Sequence, residues 1–250
     1  FTSGGTEANN MAIKGVAEAA ASAGARRGRH IITSAIEHPA TLEPCEYLRG
    51  RGYDVTILPV DATGRVNPAD VERAMRDDTI LVTIMHANNE VGTIQPIAEI
   101  AAIAHAHGAL VHTDAAQTPG KIPVRVEDLG VDLLSLAGHK LYAPKGVGAL
   151  YIREGVRLTK FMHGATHEHN RRAGTENLMG IVGLGMACEL IHTNLGEYAA
   201  HMYAMRERLR AGLQAAIPDT RVNGHPELYL PKTLSIGFRG LNATDILVEL

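Results

Sequence analysis

Asp114 closes the apolar run Ala109-Leu110-Val111-His112-Thr113, and Lys140 closes the later stretch Ser135-Leu136-Ala137-Gly138-His139. A carboxylate at the end of one strand and an amine just past another suit a heteroaromatic aldehyde. The amine can condense with the aldehyde, and the carboxylate can keep the ring nitrogen protonated, so that the ring accepts electron density. Pyridoxal 5'-phosphate (PLP) has both groups. A buried carboxylate is costly without a positive partner, and a pyridinium nitrogen would be one. Gln117, in the same turn, could donate to the ring's 3′ oxygen. A metal shared by Asp114 and His112 is the rival reading. Side chains two apart on a strand share a face, however, and Asp114 is already turning out of it, so no metal site is expected.

Three further turns hold groups that such a cofactor could use. Ser3-Gly4-Gly5-Thr6-Glu7 precedes a helical pattern. Its amides, the Thr6 hydroxyl and the helix start suit an anion, a helix terminus contributing roughly 0.3–1 kcal/mol. The same residues also make an ordinary helix cap. In Glu37-His38-Pro39, His38 could stack on an aromatic ring and exchange protons, or simply be a polar turn residue before a proline-led helix. In His86-Ala87-Asn88-Asn89-Glu90-Val91-Gly92, the Asn89 amide could donate to a phenolate or a substrate carboxylate, or serve the turn itself. His163, His167 and His169 lie in a loop instead of on a zinc-binding helix and are read as a polar substrate loop.

The elements that must position these groups alternate. Strands are predicted at His30 to Ser34, Asp54 to Pro59, Thr79 to Met85, Ala109 to Thr113, Asp132 to Leu136 and Gly148 to Ile152. Helices are predicted at Glu7 to Ala23, Ala40 to Arg51, Pro68 to Met75, Ile97 to His107, Asn177 to Thr193 and Leu195 to Ala216. This is an α/β pattern, with a mainly parallel sheet flanked by helices and apolar on both faces. Ligands of such sheets sit at the carboxyl ends of the strands, and His38, Asn89, Asp114 and Lys140 all follow such ends. From about Leu195 a long charged helix, several prolines and a short strand near Thr233 to Phe238 suggest a second region. Residues 1–193 are read as a large domain, and 194–250 as the start of a smaller α+β one.

Composition narrows the rest. The chain has 250 residues, 20% charged and 45% hydrophobic, with a net charge of −3. That balance gives no reason to expect nucleic acid, and the basic cluster Arg26-Arg27-Gly28-Arg29 reads as a solvated helix end. No apolar run is read as a membrane span and no signal peptide is evident. Cys45 and Cys188, two isolated thiols, suggest a reducing, cytoplasmic setting, and both are read as small core residues. The chain starts at Phe1 inside a glycine-rich turn and stops at Leu250 within a helical pattern, as a segment of a longer protein would.

Taken together, Thr2-Ser3-Gly4-Gly5-Thr6-Glu7-Ala8-Asn9-Asn10, Glu37-His38, Met85-His86-x-Asn88-Asn89-Glu90-x-Gly92, Asp114-x-x-Gln117, Gly138-His139-Lys140, Pro144-Lys145-Gly146-x-Gly148-Ala149-Leu150 and Arg172-Ala173-Gly174-Thr175-Glu176-Asn177 resemble cysteine desulfurases of the NifS/IscS type. These are class V aminotransferase relatives with the PLP-dependent transferase fold type I. The resemblance implies L-cysteine as substrate, alanine as product and sulfur passed to an enzyme persulfide. The persulfide would serve a sulfur acceptor such as an iron–sulfur scaffold or a tRNA-thiolation relay. It implies Lys140 as the lysine that binds PLP, with His38 stacked on the ring and sharing proton transfer. Asp114 matches the ring-nitrogen partner, Gln117 the donor to the 3′ oxygen, and Gly5, Thr6 and His139 the phosphate ligands. Asn89 matches the residue beside the cofactor oxygen and the substrate carboxylate. Thr175 matches the residue that reaches a neighbouring subunit's phosphate, which implies a homodimer.

Three features depart from the family pattern. Ala137 stands where a serine usually binds the phosphate, the loop His163-Gly164-Ala165-Thr166-His167-Glu168 is less glycine-rich, and neither cysteine matches the nucleophile. That thiol and the substrate-carboxylate arginine are expected beyond Leu250. A PLP-dependent C–S or selenocysteine lyase, a class V aminotransferase, or an inactive scaffold paralogue are the alternatives.

Overall fold

The structure, a computed structural model, describes residues 1–22 and 28–250. Ala23, the last residue of the first predicted helix, and Arg26 and Arg27 of the basic cluster lie outside the described residues. Six strands form one sheet: β1 (His30–Ser34), β2 (Asp54–Leu58), β3 (Thr79–Thr83), β4 (Leu110–Asp114), β5 (Leu133–Ala137) and β6 (Gly148–Ile152), in the order β2-β1-β3-β4-β5-β6. All pairings are parallel except β5 with β6. The link Gly138–Val147 is too short for a parallel crossover and folds straight back.

Neighbouring residues on the inner strands feed opposite faces, so both members of each pair must be apolar. Ile31, Leu81 and Leu133 pack with Ile13, Val16 and Ala17 of α1 (Gly5–Ser22) and with Cys45 and Leu48 of α2 (Pro39–Arg49). Ile32, Val82 and Leu134 pack on the other face with Val71 of α3 (Pro68–Ala74) and with Ile97, Ile100 and Ala104 of α4 (Ile97–Ala106). A short α5 (Val126–Leu129) and the turn α6 (His167–Asn170), neither anticipated from the sequence, sit in the connections.

The predicted break in the long C-terminal helical region is absent. Leu178–Ala216 is one helix, α7, and the boundary at residues 193 and 194 falls within it. Thr193 Oγ1 donates to the Glu189 carbonyl at 3.0 Å and Asn194 Nδ2 to the Leu190 carbonyl at 2.8 Å, so both polar side chains bond back into the helix instead of ending it. Beyond it, β7 (Thr220–Asn223) and β8 (Ser235–Phe238) make a separate antiparallel pair, followed by α8 (Ala243–Glu249). The intervening segment is laced to the turn after β3. Ile94 N–H donates to the Leu228 carbonyl and Leu230 N–H to the Gly92 carbonyl, each at 2.9 Å. Gly92 has a φ of 78°, and a Cβ there would lie 2.8 Å from the Thr233 Cβ, so glycine is required for both reasons.

α7 bears on two more expectations. It is long and apolar enough, by length and composition of one 18-residue window, to cross a membrane, although Glu197, Arg206, Glu207, Arg208 and Arg210 charge its C-terminal half. Cys188 is exposed, since only the face of α7 that carries Gly180, Leu184 and Ala187 is covered; Cys45 is buried as expected.

Two histidines are buried in the sheet, each spanning three strands. His30 contacts Thr79 Oγ1 and Thr56 Oγ1, both at 2.8 Å; His112 contacts Thr83 Oγ1 at 2.8 Å and Ser135 Oγ at 2.9 Å. Burial pushes the His112 imidazole down to about 3, so the folded protein holds it neutral. An unfolded chain takes up that proton near pH 6.5. The stability due to His112 is therefore full above pH 6.5 and is lost as pH falls toward 3, at about 1.4 kcal/mol per pH unit. Between pH 6.5 and 4.5 the melting temperatures of the wild type and of His112→Gln should diverge, the wild type losing more toward acid by this slope; equal slopes in both proteins would refute the assignment.

Candidate active site

Four adjacent parallel strands deliver their C-terminal turns to one place. His38 follows β1, Asn89 follows β3, Asp114 ends β4, and Lys140 follows β5 within a 3-10 turn, Gly138–Leu141. A cavity of about 340 Å³ lies there, and Gly5, Thr6, His38, Asn89, Asp114, Gln117, His139 and Lys140 all line it, with Ala137. Thr175 does not. It is exposed in the loop before α7, beside Arg172 and the first residues of the chain. His167 and His169 line a separate recess with Glu168 and Glu176. Among the described residues, no group of three or more His, Cys, Asp or Glu side chains is placed to hold a metal.

Local bonds explain how each side chain is held. His38 is the N-cap of α2, where its Nδ1 accepts from Ala40 N–H at 3.0 Å. The neutral ring must then carry its proton on Nε2. Asn88 is buried and builds its turn: Oδ1 accepts from Glu90 and Val91 N–H, and Nδ2 donates to the Ile36 carbonyl. Asn89 is left to line the cavity and donates to Glu90 Oε1 at 2.6 Å. Gln117 Oε1 accepts from Lys232 Nζ at 2.7 Å, which leaves its amide nitrogen as the donor. Asp114 is only 8% exposed, and its carboxylate accepts from two neutral donors, Ala116 N–H at 2.9 Å and Asn9 Nδ2 at 2.7 Å.

Several residues that shape the site carried no role in the sequence reading. Lys121 is buried, and its Nζ donates to the Lys140 carbonyl at 2.6 Å, fixing the backbone of that turn. Burial, with Lys232 and Lys140 adding, pushes the Lys121 amine down to about 8. Lys232 and Asn9 were equally silent, because their partners are far away in sequence. Only the position of Asn9, four residues after Gly5, could have hinted that it faces the same way. Arg172 reaches Glu7 at 2.7 Å, joining the start of α1 to the loop of Thr175.

Glu37, next to His38, is fully enclosed. Its Oε1 accepts from Met85 N–H at 2.8 Å and Ser34 Oγ at 2.7 Å, and its Oε2 has no partner. Burial pushes this carboxyl up to about 8 against those two bonds, and the Asp114 charge adds to the rise.

The Aminotransferase class-V family model matches residues 1–250, the whole chain. The chain belongs to the class-V aminotransferase family. This class-V chain is 49% identical over 250 residues to "Cysteine desulfurase IscS" of Dictyoglomus turgidum, covering all of the chain and 62% of that relative. It thus spans about three fifths of the length of the curated relatives it matches. A solved NifS-like protein superposes with a TM-score of 0.92 at 42% identity, over 98% of this chain and 66% of that one. A structure of SspA in complex with cysteine gives a TM-score of 0.84 at 36% identity, over 99% of this chain and 68% of that one. The fold is the PLP-dependent transferase fold type I, and the family's cofactor is PLP.

The cavity fits that group. The N–H groups of Gly5, Thr6 and Glu7 have no acceptor among the described residues, the first helical bond being Ala8 N–H to the Gly4 carbonyl. They form the anion-binding end of an 18-residue helix. A Cβ on Gly5 would meet the Ala137 Cβ at 3.1 Å, so the glycine keeps the cradle open. At the other end stands the buried Asp114 carboxylate, held by neutral donors alone.

The Glu37 carboxyl gives a pH test independent of the cofactor. Its raised folded pKa means that stability due to the proton is full below pH 4.5 and is lost as pH rises through about 8. Glu37→Gln should flatten the decline of melting temperature between pH 6.5 and 8, above the range in which His112 contributes; an unchanged slope would show that Glu37 is ionised in the fold.

Proposed function

We propose that this chain is the PLP-binding part of a cysteine desulfurase, converting L-cysteine to L-alanine and passing the sulfur to a protein thiol. The observation that carries the reading is the convergence of Asp114, Lys140 and His38 on the cavity that also holds the Gly5–Thr6 helix start. PLP, when bound, supplies an aldehyde for the substrate amine and a ring that accepts charge from its α-carbon. Gly5, Thr6 and His139 would hold the phosphate, Asp114 the ring nitrogen and Gln117 the 3′ oxygen, with the His38 imidazole placed to stack on the ring. Lys140 would hold the aldehyde through its amine, and that amine, when free, would move the substrate's α-proton. His38, with its proton on Nε2, gives and takes a proton at the reacting atoms. Asn89 binds the substrate carboxylate. That SspA has been seen with cysteine supports the substrate.

The thiol that takes the sulfur is a cysteine outside these 250 residues. Neither cysteine lines the cavity, and burial pushes the Cys45 thiol up to about 12, where it is a poor nucleophile. In the transfer that thiolate bonds to the substrate sulfur as the C–S bond breaks. The electron pair of the broken bond ends on the substrate carbon, which is protonated to alanine, and the protein keeps a persulfide. The acceptor of that sulfur is an iron–sulfur scaffold or a tRNA-thiolation relay. We place the enzyme in the cytoplasm, where free thiols stay reduced.

The working unit is a homodimer, with Thr175 offered to the partner's phosphate. In support, Met179, Val182, Met186 and Leu190 form an exposed apolar stripe along α7, and Tyr142 is 98% exposed nearby in the lysine-bearing loop. Apolar surface of this kind marks an interface.

Cysteine supplied to the full-length protein should yield equal amounts of alanine and sulfide in the presence of a reductant, and Lys140→Ala should abolish both. Pyruvate and ammonia in their place would replace desulfuration with a lyase reaction. Ala137→Ser restores a donor at the Gly5 turn and should tighten PLP binding by about tenfold. An unchanged dissociation constant would show that the phosphate needs no hydroxyl there.

A further inference from the structure

Asn9 stands one helical turn after Gly5 on α1, about 6 Å along the axis and on the same face. It is completely buried. Its Nδ2 donates to Asp114 Oδ2 at 2.7 Å and lies 3.3 Å from Thr41 Oγ1, while its Oδ1 has no partner. Turning the amide over would set its oxygen against a carboxylate oxygen, so the orphaned Oδ1 follows from aiming both donors. Buried amide oxygens without a donor are rare and cost stability. A side chain needed only to fill this space would be apolar, like its neighbours Ala8, Ala12 and Ile13.

The choice of an amide has a chemical consequence. Asn9 on one oxygen and Ala116 N–H on the other fix the Asp114 carboxylate at both ends. Both donors are neutral, so they orient the anion without cancelling its charge. An arginine or lysine in the place of Asn9 would take up the charge that the cavity needs. α1 therefore carries two features at fixed spacing, the free amides of its first turn and, one turn later, the donor that holds Asp114.

We propose that Asn9 is a positioning residue that holds the Asp114 carboxylate on the ring nitrogen of PLP and sets the strength of that contact. The proposal rests on the PLP reading above and adds to it the residue that acts through Asp114.

The test compares PLP with its 1-deaza analogue, in which carbon replaces the ring nitrogen. Equilibrium dissociation constants are measured for the full chain and for Asn9→Ala and Asn9→Leu, with unfolding temperatures of the cofactor-free proteins as a check on folding. The leucine variant keeps the volume, so that a cavity alone does not decide the result. The wild-type chain should prefer PLP. Each variant should weaken PLP by about tenfold or more and leave the analogue within about twofold of wild type. Equal weakening of both ligands would make Asn9 a packing residue and overturn the proposal, as would no weakening of either. Failure of both variants to fold would assign Asn9 to the core alone and overturn it too. A wild-type chain that binds both ligands equally would show that Asp114 does not engage the nitrogen. One that binds neither would remove the PLP reading itself.

Discussion

A carboxylate buried without a cation is the constraint from which the rest of this site follows. Asp114 could lower its cost by pairing with a lysine, and Lys121, Lys140 and Lys232 all lie around the same turns. None of the three bonds to it. Lys121 is spent on the Lys140 carbonyl and Lys232 on the Gln117 amide oxygen. The fold instead sets Asp114 at a strand end and supports it from a tight turn and a helix, each giving one neutral contact. A charge maintained in this way is a demand for a positive ligand group, and the open helix start across the cavity is the matching demand for a negative one. Two opposite demands in one cavity describe a zwitterionic, phosphorylated heterocycle.

The sheet was legible because its chemistry is local. Pairs such as Ile31-Ile32 and Leu133-Leu134 must be apolar on both faces, and that shows as an unbroken run. Because each of His38, Asn89, Asp114 and Lys140 follows the end of such a run, the pattern alone brings them to one edge of the sheet. What failed was also local in cause. Thr193 and Asn194 look like a break in composition, yet both side chains turn inward to carbonyls one turn back, and composition does not show where a side chain points. Cys188 was read from apolar neighbours that prove to be split between a covered face and an open one.

The residues that tune the site were illegible for a different reason. Asn9, Lys121 and Lys232 act on atoms that only the tertiary fold brings near them. Each also has an unremarkable local setting: a helix interior, a turn and a proline-rich link. Glu37 shows the same limit. Its neighbour His38 announces itself by its place at a helix start, while the burial that raises the Glu37 carboxyl depends on the end of β1 and the turn after β3, which close around it from distant parts of the chain.

The lacing of the segment around Leu228 to the turn after β3, and of Lys232 to Gln117, has a consequence for how the molecule comes into being. A chain emerging from the ribosome presents its strands first, and β1 to β6 can condense while the later residues are still unmade. The turn of Asn89 and the amide of Gln117 would then sit in place but untethered. They acquire these restraints only when the segment around Leu228 to Lys232 docks. The cleft thus takes its final form after the sheet that houses it, from residues made well over a hundred positions later than its turn at Asn89.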